Sequence, residues 1–160
     1  MLAARDLADN ARVSQPRIRV AAYVIRQLAR PELLVFDHLG MPQAGTQIPA
    51  GGVQPGEELE RAVLREVAEE TGLVTARVVG PVAVEDKAHP VTRRPRRTTY
   101  FQLRVPATTT DAWDHTVRGD GGDAGMTFTC YFLPLPLQQA LADDQDAWLG
   151  HIDPLWTTGR

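Results

Sequence analysis

Residues 51–73 read Gly51-Gly-Val-Gln-Pro-Gly-Glu-Glu-Leu-Glu-Arg-Ala-Val-Leu-Arg-Glu-Val-Ala-Glu-Glu-Thr-Gly-Leu73. The spacing predicts a tight glycine loop running into a helix. Pro55-Gly56-Glu57-Glu58 opens the helix and puts acids in its first turn, where the helix dipole favours them. Leu59, Val63 and Val67 recur at i, i+4 and i+8 with Ala62 beside them, a stripe suited to packing on a sheet. Thr71-Gly72 ends the helix, glycine being the usual C-terminal stop. Glu66, Glu69 and Glu70, at i, i+3 and i+4, share the face away from that stripe. Three carboxylates so close repel one another unless a cation neutralises them, and a hard divalent ion such as Mg2+ or Mn2+ suits all-oxygen ligands. Glu-x-x-Glu-Glu alone also describes a solvated acidic face. The neighbourhood argues for a built site: Pro49-Ala-Gly-Gly52 lets bare backbone approach a ligand, and Arg65 lies within reach of Glu57 or Glu69 to hold them.

Working outward, Arg17 to Ile25 alternates and then turns apolar, which reads as a strand. Arg30-Pro31 marks a turn, and Glu32 to Asp37 reads as a second strand, paired to the first as a hairpin. A Gly/Pro-rich loop runs from Gly40 to Gly52, with Ile48 anchoring a short strand in it. Beyond the helix, Leu73 to Val79 reads as a strand, followed by Gly80-Pro81 and a short Val82 to Val84 strand. Lys87 to Arg97 is a basic, proline-punctuated loop, Thr98 to Val105 a strong strand, 106–125 a long polar connection and Met126 to Leu133 another strand. Leu137 to Leu149 reads as a second helix, with Leu137, Leu141 and Trp148 on one side. Strands before, between and after two helices point to an α/β fold around a mixed sheet. The expected organisation is one domain over 1–160, with a core of about 17–149 and an N-terminal arm at 1–16.

Composition narrows the function classes. A formal net charge of −3 argues against gripping duplex nucleic acid, which demands a strongly basic surface. A small phosphorylated substrate needs only a local group of cations. The single cysteine, Cys130, cannot form an internal disulfide and sits in an apolar stretch, so a buried thiol and a cytoplasmic location are expected. No run reaches the length of a membrane span. The first ten residues carry acids and lack an apolar stretch, so they do not read as a secretory signal.

At this point the segment 51–73 resembles the Nudix box: Gly, five residues, Glu, seven residues, Arg-Glu, an aliphatic, any residue, Glu-Glu, any residue, Gly, aliphatic. Gly51, Glu57, Arg65, Glu66, Val67, Glu69, Glu70, Gly72 and Leu73 fill every fixed position. The resemblance implies an α/β/α sandwich with a central mixed β-sheet, and hydrolysis of a diphosphate bond in a nucleoside diphosphate linked to another moiety. Carried over by position, it implies Mg2+, with Mn2+ as a substitute, held by Glu66, Glu69, Glu70 and the Gly51 carbonyl. Glu57 and Arg65 would orient that set. For the general base, Glu66 or Glu69 is expected inside the box; Asp120, Asp123 and Glu85 are candidates outside it. The resemblance leaves the substrate open among nucleoside triphosphates, nucleotide sugars and polyphosphate compounds. It allows a homodimer, and it allows a nucleotide-binding or regulatory module without turnover, although that usually goes with lost box carboxylates and none is lost here.

Further candidates come from composition. Arg96 and Arg97, in the run Arg93 to Arg97, are candidates to hold phosphates. Trp113 stands in a polar stretch as a candidate stacking platform, whereas Tyr23, Tyr100, Phe101 and Trp156 read as core. Asp120 sits in the glycine-rich 118–125 stretch as a candidate substrate contact. His38, His89 and His115 are scattered, and nothing in their spacing marks a zinc site.

Overall fold

The structure, a computed structural model, describes residues 15–152. Most of the expected N-terminal arm, and Trp156 with the rest of the tail from 153, lie outside the described residues. The elements are β1 (Arg17–Gln27), β2 (Pro31–His38), β3 (Ala50–Gly52), α1 (Leu59–Thr71), β4 (Arg77–Asp86), β5 (Arg96–Val105), β6 (Ala112–Thr116) and β7 (Thr127–Pro134). They build one seven-stranded mixed sheet in the order β4-β5-β1-β2-β7-β6, with β3 also paired to β1.

β1 is the middle of this sheet because Val20 to Ile25 is apolar on both faces, and all six residues are buried. It runs parallel to β5 over its length, Arg17 against Arg96 through Arg26 against Val105. Its other edge is shared: the end of β1 pairs antiparallel with β2, and its start pairs with β3, Arg19 against Gly52 and Ala21 against Ala50. The glycine loop is thereby sewn to the head of the central strand.

The two faces carry separate cores. On one, Val20, Ala22 and Val24 meet Ala62, Val63 and Val67 of α1, with Phe36 and Phe128 stacked at 4.1 Å beneath. On the other, Ala21, Tyr23 and Ile25 are covered by Leu141, Trp148 and Leu149. The α1 stripe is narrower than its spacing suggested: Leu59 is 36% exposed, and the buried side continues instead through Glu70 and Thr71.

Three expectations need correction. The second helix does not form. Residues 137–149 run irregularly, with 3-10 turns at Ala142–Asp144 and Leu149–His151. Asp143 and Asp144 both take positive φ, 52° and 50°, which a right-handed helix cannot contain. The apolar spacing of Leu137, Leu141 and Trp148 reflects covering a sheet face, so the outer layer on that side is irregular chain. Second, the strand expected from Leu73 to Val79 begins only at Arg77 and runs on through Gly80-Pro81 to Asp86. β4 is continuous, with register shifts at Val78/Gly80 and Pro81/Ala83; an edge strand tolerates a residue without an N–H at such irregularities. Third, the 106–125 connection contains the edge strand β6, whose alternating exposure turns Trp113 and His115 inward.

If Ala62, Val63 and Val67 are what dock α1, Val67→Ala should lower unfolding free energy by about 1–3 kcal/mol, while Leu59→Ala should stay within about 0.5 kcal/mol. Urea denaturation of both variants checks this; equal losses would place the docking face elsewhere on the helix.

Candidate active site

The acidic face of α1 is organised by one side chain. Arg65 uses all five of its N–H donors. Nε and Nη2 grip the two Glu57 oxygens at 2.8 and 2.9 Å. Nη1 reaches Glu66 at 2.8 Å and Glu69 at 3.2 Å. Nη2 also donates to the Gly52 carbonyl at 2.9 Å. Glu57 in turn accepts from the backbone of Gln54 at 3.0 Å. Loop, helix start and helix middle are thus tied through one guanidinium. The hydrogen bonds from Arg65, with that from Gln54, hold the Glu57 carboxyl down at about 2.

The other carboxylates are pushed the opposite way. Glu70 is 6% exposed. Burial first, and then the Glu66 carboxylate beside it, raise it well above the ordinary range. Burial also raises Glu66, against the pull of Glu70 and Arg65. Glu70 accepts from the Ala50 N–H at 3.1 Å, which fixes it to β3. Gly51 must be glycine for steric reasons: a Cβ there would stand 2.2 Å from the Glu66 carboxyl carbon. Gly51, Glu66 and Glu70 are therefore packed into one spot where negative charge is poorly solvated, with Arg65 on Glu66 and no ion pair to Glu70 among the described residues.

These residues form one wall of a cavity of about 340 Å3, within the size range of small-molecule sites. Glu66, Glu69, Glu70 and Gly51 line it, while Arg65 and Glu57 stand behind. The same cavity is also lined by Arg17, Arg19, His89, Arg118 and Asp123, with the Arg118 N–H donating to the Glu69 carbonyl at 3.0 Å. No ready cluster of three His, Cys, Asp or Glu side chains aimed at a metal occurs among the described residues, since Arg65 engages Glu66 and Glu69. The donor set is nonetheless all oxygen, and the unfavourable charge at Glu66 and Glu70 is what a divalent cation would relieve.

Arg96 is 8% exposed and committed to Asp143 at 2.8 Å. Arg97 is exposed and paired with Asp86 at 2.8 Å. Trp113 donates its indole N–H to the Thr71 carbonyl at 2.7 Å, clasping the end of α1. Asp120 is exposed in the loop before β7. None of these four lines the cavity. Glu85 accepts from Trp148 at 2.8 Å and also lies outside it, whereas Asp123 lines it. Arg17, Arg19 and Arg118 were not anticipated. Their one signal was Arg17-x-Arg19 at the head of a strand, which sets both arginines on one face, and only the β1–β3 pairing brings that face to the glycine loop.

Because the folded-state value for Glu57 lies below its ordinary 4.5, its pairing with Arg65 contributes stability in full above that pH and loses it as pH falls toward about 2. Thermal midpoints of wild type and Glu57→Gln should differ clearly at neutral pH and converge in acid; a pH-independent gap would show that the pair does not titrate this way.

A model of the NUDIX domain family matches residues 15–149. Nudix hydrolase 25 of Arabidopsis thaliana is 42% identical over 50 residues, 31% of this chain and 28% of that protein, so the chain matches under a third of that relative's length. The NUDIX domain of Shewanella oneidensis NrtR, crystallised with ADP ribose, superposes with a TM-score of 0.64 at 19% identity over 94% of this chain and 96% of that one. A UDP-X diphosphatase gives 0.61 at 16% identity over 99% and 71%. At these identities the structures establish a common α/β fold. With the family model spanning nearly all of the described residues and the box carboxylates gathered at a single cavity, the chain belongs to the NUDIX domain family.

Proposed function

We propose that the protein is a cytoplasmic Mg2+-dependent hydrolase that cleaves a diphosphate bond in a nucleoside diphosphate linked to another moiety. The observation that carries this reading is the crowded carboxylate pair Glu66 and Glu70 packed against Gly51, lining a cavity that arginines line as well. The family assignment supports it, as does the kind of molecule named with its structural neighbours, ADP ribose in one and a UDP-X diphosphatase in another.

Glu66, Glu69, Glu70 and the Gly51 carbonyl are the groups that would hold the metal, with Mn2+ as a substitute. Bound there, a divalent ion supplies water activation and neutralises charge on the phosphoryl oxygens. Arg65 keeps Glu57, Glu66 and Glu69 in fixed relation, so that little reorganisation remains at the moment of reaction. Glu69 is assigned as the general base. Its bond to Arg65, at 3.2 Å, is the longest of the five, while Glu66 is held by Arg65 at 2.8 Å and by Glu70 as well. A carboxylate oxygen of Glu69 is thus the freest to take the proton of the attacking water. Among the described residues, no helix is long and apolar enough to cross a membrane.

A second reading, a nucleotide-binding module without turnover, is favoured only by the ADP ribose bound to the NrtR domain. A panel of nucleotide sugars, nucleoside triphosphates and polyphosphate compounds with Mg2+, with products resolved by phosphorus, separates the two. Glu69→Gln should lower kcat by about 10²–10⁴-fold, and Glu70→Gln should abolish turnover, both with wild-type circular dichroism because glutamine keeps the size of glutamate and can still accept the Ala50 N–H at position 70. Wild-type turnover in either variant would overturn the assignment, and a wild-type protein that binds nucleotides without cleaving any would favour the second reading.

A further inference from the structure

The cavity that the glutamates line also holds arginines that the protein itself does not pair. Arg19 lies on β1 with its Nε buried and without a hydrogen-bond partner. No ion pair involves Arg17, Arg19 or Arg118 among the described residues, and no side-chain hydrogen bond from them occurs there either. The contrast with the neighbouring cations is sharp. Arg96, beside Arg17 across the β1–β5 pairing, is held by Asp143 at 2.8 Å, and Lys87 by Asp143 and Asp144 at 3.1 Å each.

Arg19 is penalised for this. Burial first, and then the charges of Arg96 and Arg17, pull its proton affinity down, with only Asp143 and Glu70 acting the other way. A desolvated guanidinium without a counter-anion costs several kcal/mol. Arg17 is brought to the same place by Gly52, where a Cβ would stand 2.8 Å from Nη2; any side chain there would displace the guanidinium. His89 adds a donor. Its Nδ1 accepts from the N–H groups of Val91 and Thr92, both at 3.1 Å, so its proton sits on Nε2.

All four groups line the same cavity as the carboxylates. In the hydrolase reading, on which this inference rests, a metal at the carboxylate wall would already neutralise much of the scissile diphosphate. Three unpaired guanidiniums would then remain to be matched. We infer that Arg17, Arg19 and Arg118 form an anion-binding wall whose natural ligand is a further phosphoryl group, beyond the two that flank the scissile bond. The substrate class is therefore a compound with three or more phosphates, and Arg19, half-buried where Arg17 and Arg118 are exposed, is its principal positioning residue.

The test is calorimetric titration of the full chain, without added metal, using inorganic tripolyphosphate and inorganic pyrophosphate as probes. Wild type should bind tripolyphosphate about tenfold or more tightly than pyrophosphate. Arg19→Gln should lose about tenfold or more in tripolyphosphate affinity, the loss expected of one charge-assisted contact, and should bring the two probes together. Arg19→Lys should recover part of the loss, since it keeps the charge without the fork. Arg17→Gln, at an exposed residue whose removal leaves the core intact, should show a smaller loss in the same direction. Arg104→Gln, exposed near the far end of β5, should bind like wild type. In turnover, Arg19→Gln should raise KM for a triphosphate far more than for a nucleotide sugar. Equal affinity for the two probes in wild type, no detectable binding of either, or an unchanged Arg19→Gln would overturn the inference. Tight tripolyphosphate binding by a protein that cleaves nothing in the substrate panel would overturn the hydrolase reading while upholding the arginine wall.

Discussion

Five hydrogen bonds from one guanidinium hold the site together. Arg65 reaches back to the first residues before the helix through Glu57, sideways to Glu66 and Glu69, and across to the Gly52 carbonyl on β3. Without it, Glu66 and Glu69 would repel each other with no cation between them, while Glu70 is held separately by burial and the Ala50 N–H. With every donor used, the guanidinium has one geometry, and the acids inherit it. A lysine could supply the charge but not the fork, which explains why that position asks for arginine in particular.

The sheet brings the acidic helix and a group of arginines to one cavity. Because β2 and β3 share one edge of β1, the glycine loop lies directly beside the head of the central strand. Arg17 and Arg19 project from that head, and Gly51 and Gly52 clear space for Glu66 on one side and Arg17 on the other. Positive and negative walls thus come from residues far apart in the chain, joined by three β-bridges. The cavity they line suits an elongated anion that meets both cationic side chains and a metal-binding acidic group.

Much of the acidic wall was legible in the chain because it is local: helical periodicity alone puts Glu66, Glu69 and Glu70 on one face, and the reach of Arg65 to Glu69 follows from i, i+4 spacing, whereas its bond to the adjacent Glu66 does not. The central hairpin was legible for the same reason. The basic wall was not, since it depends on which face of β1 meets β3, a matter of pairing between distant segments. The arginine run at 93–97 is conspicuous in sequence, yet Arg96 is consumed by Asp143, and Asp143 holds it from a backbone with positive φ that no propensity would anticipate. The same strained pair of aspartates prevents the helix that Leu137, Leu141 and Trp148 suggest. Trp113 looked like a free aromatic in a polar stretch because β6 is short and exposed on its outer side; its indole is in fact spent on the C-terminal end of α1.

The central claim is that two groups lining one cavity, acidic and basic, divide the work of holding a metal and a phosphate chain. It is tested most directly by a crystal structure of the protein with Mg2+ and a non-hydrolysable nucleoside triphosphate analogue. The account predicts an ion about 2.0–2.1 Å from oxygens of the Glu66, Glu69 and Glu70 set and of the phosphates, with a phosphoryl group on Arg19. Glutamates turned away from the ligand with no ion among them, or a phosphate chain running clear of Arg19, would contradict it.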